Sequence, residues 1–491
     1  MNLYPSLETA KEYAKLGDYK VLPVSIELYS DSKTPIEVLR TIKKVSKHCY
    51  LLESIEDNRN WGRYTFLGYD PKLEITCFNH HLSIKGDKNI EVMTDHPSHY
   101  IREILKEHKS PRIEELPTFT GGLVGYFAYD YIQYAEPTLD LSTSEETYFK
   151  DVDLLLFDKV IAFDHLRQKM ILIVNISLEN VEIQYQQAES ILANMVHLVK
   201  EGETAKEKPG RLISEITPLF DEQGFCKMVE KAKKRIYEGD IFQVVLSNRL
   251  EAEFEGSLLD AYRVLRTLNP SPYMFYFSSD DIEIAGASPE TLVKLTDGEV
   301  KTFPLAGTRP RGKTQEENDK LKVELLADEK ELAEHNMLVD LGRNDLGKIS
   351  EFGSVKVENY MSIEEFSHVM HIGSTVVGTM QKGKDAMDAI EAVLPAGTLS
   401  GAPKLKACEI INELENNKRG IYGGAIGYLD FAGNMDTCIA IRFVVKKNGK
   451  VFIRSGAGIV ADSEPKKEYQ ECINKAKAVL KALKMAEGGI L

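Results

Sequence analysis

The sequence predicts an α+β fold built on antiparallel sheet, and three observations carry that expectation. Residues 49–79, CYLLESIEDNRNWGRYTFLGYDPKLEITCFN, alternate apolar and polar side chains between Asp, Asn, Gly and Pro turn signals, the pattern of half-buried antiparallel strands. Flanking stretches instead repeat apolar residues at helical spacing. The segment 201–218, EGETAKEKPGRLISEITP, is polar, contains Pro and Gly and has no periodicity, so it reads as a linker. The expected organisation is an N-terminal α+β region over 1–200, the linker, and a second region over 219–491.

Taken in order, 6–16 reads as a short amphipathic helix opened by Ser6, 21–31 as a strand and 34–45 as a helix. The sheet pattern of 49–79 continues in the strand-like runs 121–131, 152–165 and 169–177, before a helix over 179–201. Beyond the linker come a helix over 220–240, a strand over 241–254 and a helix over 257–269 that Pro270 stops. No fixed-period repeat or low-complexity tract interrupts the pattern.

The chain has 491 residues, 43% of them hydrophobic, enough to bury a large core. Its formal charge of −15 argues against a nucleic-acid partner and for small-molecule chemistry. The six cysteines are widely spaced with no CxxC pair, so neither a zinc knuckle nor a disulfide framework is expected. No signal-peptide core or membrane-length apolar run is present, and the expected location is the cytoplasm.

Chemistry-bearing residues cluster in the second half. The segment 328–345, DEKELAEHNMLVDLGRND, places Glu331, Glu334 and His335 at helical spacing, with Leu332, Met337, Leu338 and Leu341 as an apolar side. A second acidic helix follows Ser463, the expected cap, and carries Glu464, Glu468 and Glu471. Each helix alone also fits an ordinary solvated face; two together can serve one magnesium ion, which takes oxygen ligands and retains water or substrate oxygens. Gly456-Ala457-Gly458 at a strand end, and Gly307-Thr308 followed by Arg309, Arg311 and Lys313, read as loops suited to an anion, although a bulge or tight turn explains such glycines equally. Arg442 stands in an apolar run, Tyr422 beside paired glycines, and His371 and Thr398 in segments rich in small residues. Pattern alone does not choose His371 over His368 or His335.

Together the strings PLAGTRPRG, ELAEHNMLVDLGRND, VMHIGSTVVG, GTLSGAPK, YGGAIGYLD, DTCIAIR and GAGIVADSEP resemble, in order, the motifs of the chorismate-utilising enzymes. The likeness spans almost all of the second half and is closest to the branch formed by anthranilate synthase large subunits. It implies large antiparallel sheets packed together with helices outside, and a catalytic chorismate-binding region over 219–491. It also implies Mg²⁺ held by Glu334 and Glu471, with Glu331 and Glu468 as supporting catalytic carboxylates. Gly307, Thr308, Tyr422, Arg442, Gly456, Ala457 and Gly458 would bind substrate, His371 would transfer protons and Thr398 would assist. Related enzymes carry a nucleophilic lysine where Ala306 stands and a water-activating lysine where Gln243 stands; without those amines, the resemblance implies ammonia as the nucleophile and anthranilate and pyruvate as the products.

LLESIED at 51–57 and NPSPYMFYF at 269–277 resemble the two tryptophan-binding elements of that branch. By that likeness Ser54, Pro272, Tyr273 and Met274 line a pocket for L-tryptophan as feedback inhibitor, and 1–200 is regulatory. No GxCxGxQ motif surrounds any cysteine, so ammonia comes from solution or from a separate glutamine amidotransferase subunit. The resemblance implies the latter, within a heterotetramer.

Overall fold

The computed structural model describes residues 2–54, 62–143, 149–365 and 369–490. Among these, the strands form one sheet of 13 and one of 12. The first runs from Val21–Tyr29 through Lys169–Ser177, Lys159–Asp164, Tyr64–Tyr69, Cys49–Glu53, Tyr273–Ser278, Ile282–Ser288, Phe443–Lys447 and Lys450–Ile459 to Gln243–Glu255. The second runs from Leu305–Pro310 through Val369–Thr379, Glu299–Thr302, Thr291–Thr296, Met435–Ile439, Ala425–Asp430, Gly122–Phe127, Val152–Phe157, Leu73–Phe78 and His81–Lys85 to Ile90–Met93. Neighbours are antiparallel, including the two junctions where N-terminal and C-terminal strands meet, Cys49–Glu53 with Tyr273–Ser278 and Gly122–Phe127 with Ala425–Asp430. Within 201–218, Arg211–Leu212 and Thr217–Pro218 pair with Gln243–Glu255.

The period of two decides what each strand buries. Phe275, Ile282, Ile284, Phe443 and Val445 of the first sheet join a core with Leu123, Leu292, Val293 and Ile426 of the second. Met274, Tyr276, Ala285 and Ala287 point the other way and pack under the helices Pro35–Val45, Val181–Glu201, Leu259–Leu268 and Pro465–Ala486. Each fully buried large apolar side chain contributes roughly 1.5–3 kcal/mol.

The chain passes repeatedly from one sheet to the other. The run 152–165 is two strands, Val152–Phe157 in the second sheet and Lys159–Asp164 in the first, turning at buried Asp158. Pro289 and Glu290 link Ile282–Ser288 of the first sheet to Thr291–Thr296 of the second, and residues 440–442 link Met435–Ile439 back to Phe443–Lys447. The last two crossings touch: the Ile439 amide donates to the Glu290 carbonyl at 2.9 Å, and Ser288 Oγ donates to the Ile439 carbonyl at 2.7 Å.

Candidate active site

These touching crossings bring a carboxyl and a guanidinium within electrostatic reach of each other. Glu290 is buried, and that burial pushes its carboxyl up to about 8 even though Thr398, Arg442 and Lys475 each pull it down. At neutral pH it is therefore largely a protonated acid. Arg442 lies in the crossing rather than in a strand, with a left-handed φ of 54°. Burial draws its guanidinium below the ordinary value, and Glu290 opposes that effect. The buried hydroxyl of Thr398 lies beside Glu290 at the edge of hydrogen-bonding geometry. Its turn, Gly397–Leu399, packs on Leu341 so closely that a Cβ at Gly397 would lie 2.7 Å from Leu341 Cδ1.

Gly307 and Thr308 occur inside the strand Leu305–Pro310, not at its end. They form a bulge where the register with Val369–Thr379 shifts, and Gly307 has a φ of 64°. The extra residue turns its carbonyl to His371 Nδ1, 2.8 Å away, with Thr308 Oγ1 at 3.1 Å. Donation from Nδ1 to that carbonyl leaves Nε2 as the basic nitrogen of the neutral ring. Burial lowers the affinity of His371 for a second proton, and Arg442 lowers it further against the Gly307 carbonyl. The basic residues after the bulge are ion-paired: Arg309 with Asp328 at 2.8 Å and Glu331 at 3.6 Å, Arg311 with Glu365 at 3.1 Å. Arg309 thereby holds the start of the acidic helix, while Arg311 ties to the strand Lys356–Glu365. His368 lies outside the described residues.

The first acidic helix is Glu329–Gly347, capped by Asp328, whose side chain accepts from the amides of Lys330 and Glu331. Glu331 sits against the bulge, with Oε2 3.1 Å from the position a Cβ on Gly307 would take. Burial and the charge of Glu334 raise its carboxyl above the usual range. His335 does not share that face; it is fully buried, bonds Ser374 Oγ through Nε2 at 2.7 Å, and burial lowers its pKa to about 4. The second helix, Pro465–Ala486, begins after Glu464, so Ser463 is one residue too early to cap it; its hydroxyl accepts from the Val460 amide instead. Burial raises Glu468, Glu471 raises it further, and Lys330 of the first helix pulls it down, so the two acidic faces lie within electrostatic reach. Glu471 pairs with Lys475 at 2.8 Å.

Gly456, Ala457 and Gly458 lie within the strand Lys450–Ile459 rather than in a loop beyond it. Gln243–Glu255 pairs with one edge, while Phe443–Lys447 pairs with the other only as far as Ile453. Alternate backbone amides beyond Ile453 therefore face an edge with no strand partner among the described residues. The glycines admit side chains: a Cβ on Gly456 would meet Tyr422 Oη at 3.0 Å, and one on Gly458 would meet Gln243 Nε2 at 2.6 Å. Gln243 Nε2 donates to Glu334 Oε1 at 3.3 Å, and its buried Oε1 has no hydrogen-bond partner among the described residues. Lys475 reaches the Gly456 carbonyl at 3.1 Å. A chain of contacts and electrostatic couplings thus links the bulge, the acidic helices, the glycine strand, Tyr422, Thr398, His371 and Arg442.

Glu290 and Lys475 were not singled out from the sequence. A lone carboxylate after Pro289 has no periodicity, and only the sheet crossing gives it meaning; Lys475 had the Glu471 i,i+4 spacing as a signal. Among the described residues, no group of three or more His, Cys, Asp and Glu is gathered for a metal. Carboxylates in two pairs, two of them raised by a like-charged neighbour, nevertheless fit Mg²⁺, which needs one or two protein carboxylates with substrate and water oxygens.

The elements read as an effector site are also adjacent. Met274 pairs with Glu53 across the strands, which brings Ser54 and Tyr273 to neighbouring positions. The buried Ser54 Oγ has no hydrogen-bond partner among the described residues, whereas Tyr273 Oη donates to Asp436 at 2.8 Å and lies 2.9 Å from Thr291 Oγ1. Met274 is buried on the opposite face, and Pro272 precedes the strand. Beneath them, Glu53 is gripped by Arg266 at 2.5 and 2.9 Å and by Tyr262 Oη at 2.5 Å.

Residues 47–481 match the family described as chorismate binding enzyme. The chain is 44% identical to anthranilate synthase component 1 of Acetivibrio thermocellus, across 98% of this chain and 99% of that one. It is also 44% identical to the Aquifex aeolicus component 1, across 99% of both. The crystal structure of anthranilate synthase component I from Streptococcus pneumoniae superposes with a TM-score of 0.74 at 39% identity, covering 87% of this chain and 94% of that one. The menaquinone-specific isochorismate synthase of Escherichia coli shares the fold, with a TM-score of 0.71 at 20% identity over 97% of this chain and 99% of that one. With the motifs in order, the two-sheet fold and full-length relatives all in agreement, this chain belongs to the chorismate-binding enzymes, on their anthranilate synthase component 1 branch.

Proposed function

We propose that the chain converts chorismate and ammonia to anthranilate and pyruvate, the first committed step of tryptophan biosynthesis, and that tryptophan inhibits it. The observation that carries this reading is a pair of proton-transfer groups that both feel Arg442: Glu290, which burial keeps protonated up to about pH 8, and His371, held neutral by burial and Arg442. Such separation assigns an acid and a base.

Arg442 and the backbone beside Gly307 and Gly456 bind the substrate carboxylates, with Tyr422 bounding the ring. Ammonia attacks ring carbon C2, the ring double bonds shift, and the C4 hydroxyl leaves as water with a proton from Glu290. The surplus proton on nitrogen returns to solvent. His371 Nε2 then removes the C2 proton as the C3–oxygen bond breaks, the ring becomes aromatic, and the departing enolate takes a proton at carbon to become pyruvate. Thr398 fixes the Glu290 carboxyl. Glu334 and Glu471 would hold Mg²⁺, supported by Glu331 and Glu468; when bound, the ion supplies positive charge for the substrate's oxygens. Ala306 and Gln243 offer no amine to compete with ammonia, which fits this nucleophile. A glutamine amidotransferase subunit supplies ammonia within a heterotetramer in the cytoplasm; no helix among the described residues is long and apolar enough to cross a membrane.

The test is product analysis with the purified chain, chorismate, Mg²⁺ and ¹⁵N-ammonium. Anthranilate one mass unit heavier, with an equal amount of pyruvate and a rate that tryptophan lowers, supports the reading. An amino-substituted product that retains the enolpyruvyl group, or an isochorismate, contradicts it. A correct product whose rate ignores tryptophan removes only the regulatory part.

A further inference from the structure

We propose that Arg419 is a positioning residue for the substrate pocket, its guanidinium being the common anchor of the Thr398 turn, the Gly458 strand and the Tyr422 ring. The proposal rests on the reading that these three residues meet chorismate. Arg419 belongs to a buried cluster with Glu415 and Arg454, whose side chains are 1%, 0% and 4% exposed respectively. Glu415 ends the helix Lys404–Glu415. Its carboxylate accepts from Ser247 N at 2.7 Å, Ser247 Oγ at 3.0 Å, Arg419 Nε at 3.0 Å, Arg419 Nη2 at 2.6 Å and Arg454 Nη2 at 3.0 Å. With five donors on one carboxylate, both guanidinium planes are fixed.

The remaining bonds of Arg419 go to the framework of the pocket. Nη1 donates to the Leu399 carbonyl at 2.6 Å, one residue from Thr398. Nη2 donates to the Val245 carbonyl at 2.6 Å, and Val245 lies opposite Gly458 in the ladder. Its Cζ is 5.9 Å from the Tyr422 ring centroid and 4.7 Å from that of Tyr129. Arg454 makes the parallel connection to Gly456: its Nε donates to Ser247 Oγ at 2.8 Å, and Ser247 faces Gly456 across the strands. A buried ionic cluster is a poor source of net stability, because desolvation offsets its attraction. What a planar, multiply bonded fork supplies is fixed geometry, and lysine, a point charge on a flexible stem, cannot replace it.

The experiment compares wild type with Arg419→Lys in the full chain, by thermal melting and by steady-state kinetics with chorismate, ammonium and Mg²⁺. The expected result is a folded variant whose KM for chorismate rises at least tenfold. The alkaline limb of its kcat/KM profile should also move, because the Thr398 hydroxyl shifts relative to Glu290. A purely structural role would lower the melting temperature and the active fraction while leaving KM and the pH profile at wild-type values; that outcome overturns the assignment. If Arg419→Lys shows no cooperative melt, Ser247→Ala decides, since it removes one bond to Glu415 and one to Arg454 with little change in volume. A KM raised about threefold in a normally melting protein supports the anchor, and an unchanged KM overturns it. Wild type that neither binds nor turns over chorismate overturns the pocket reading itself, a result distinguishable from a working wild type with indifferent variants.

Discussion

Glu290 concentrates the cost and the use of this site in one side chain. Its folded-state pKa is raised by burial, so the sign runs against that of an ordinary ion-paired carboxylate. The stability that its protonated form contributes is fully present below the unfolded value near 4.5 and is lost as pH rises to about 8. Each unit of such a shift is about 1.4 kcal/mol, so the full effect is a few kcal/mol. Glu290→Gln should therefore abolish turnover while raising the melting temperature, more at pH 8 than at pH 5; equal shifts at both would contradict the buried acid. The same assignments give kcat/KM a bell: it falls above about pH 8 as Glu290 ionises, and falls on the acid side below the ordinary histidine value of 6.5, where His371 gains its second proton. A profile flat from pH 5 to 9 would exclude both groups. None of this could be read from the string Ser288-Pro289-Glu290, because burial here is a property of two sheets meeting.

The two acidic helices show what periodicity delivers and where it stops. Spacing correctly set Glu331 beside Glu334 and Glu468 beside Glu471, because the helical period is local. It also set His335 with the carboxylates, and there the core prevailed: the ring turns inward with Leu338 and Val339 to bond Ser374. Ser463 looked like a cap, yet Glu464 occupies that position and Pro465 starts the helix. Glycine motifs were visible but their conformations were not. Gly307 is a strand bulge set by a strand far along the chain, and Gly456–Gly458 an open edge left where the hairpin with Phe443–Lys447 stops at Ile453. Since each helix sets one carboxylate against another, Glu331 with Glu334 and Glu468 with Glu471, Glu334→Gln and Glu471→Gln should each raise the Mg²⁺ concentration needed for half-maximal turnover by an order of magnitude or more. Turnover of either variant unchanged at limiting Mg²⁺ would remove it from the metal-holding set.

Across the whole molecule, the α+β class and antiparallel character were legible, since alternation in 49–79 and in the later runs is a strand signal. The pairing of strands was not. That the run 152–165 divides between two sheets, or that Cys49–Glu53 lies against Tyr273–Ser278, is decided by which apolar faces can be covered together. That last pairing places the elements read as a tryptophan pocket next to each other, and Tyr273 lies 2.9 Å from Thr291, the residue after Glu290. The strand read as part of the effector pocket and the crossing that holds Glu290 are thus neighbours, one in each sheet. The chain carries no glutaminase motif, so its use of nitrogen is the most direct test of the whole reading. Anthranilate fluorescence should be followed with the purified chain, chorismate and Mg²⁺, supplied in turn with ammonium and with glutamine. Steady anthranilate release is expected with ammonium and none with glutamine until a glutamine amidotransferase subunit is added; no anthranilate with ammonium, or equal rates from both nitrogen sources, would overturn the proposed function.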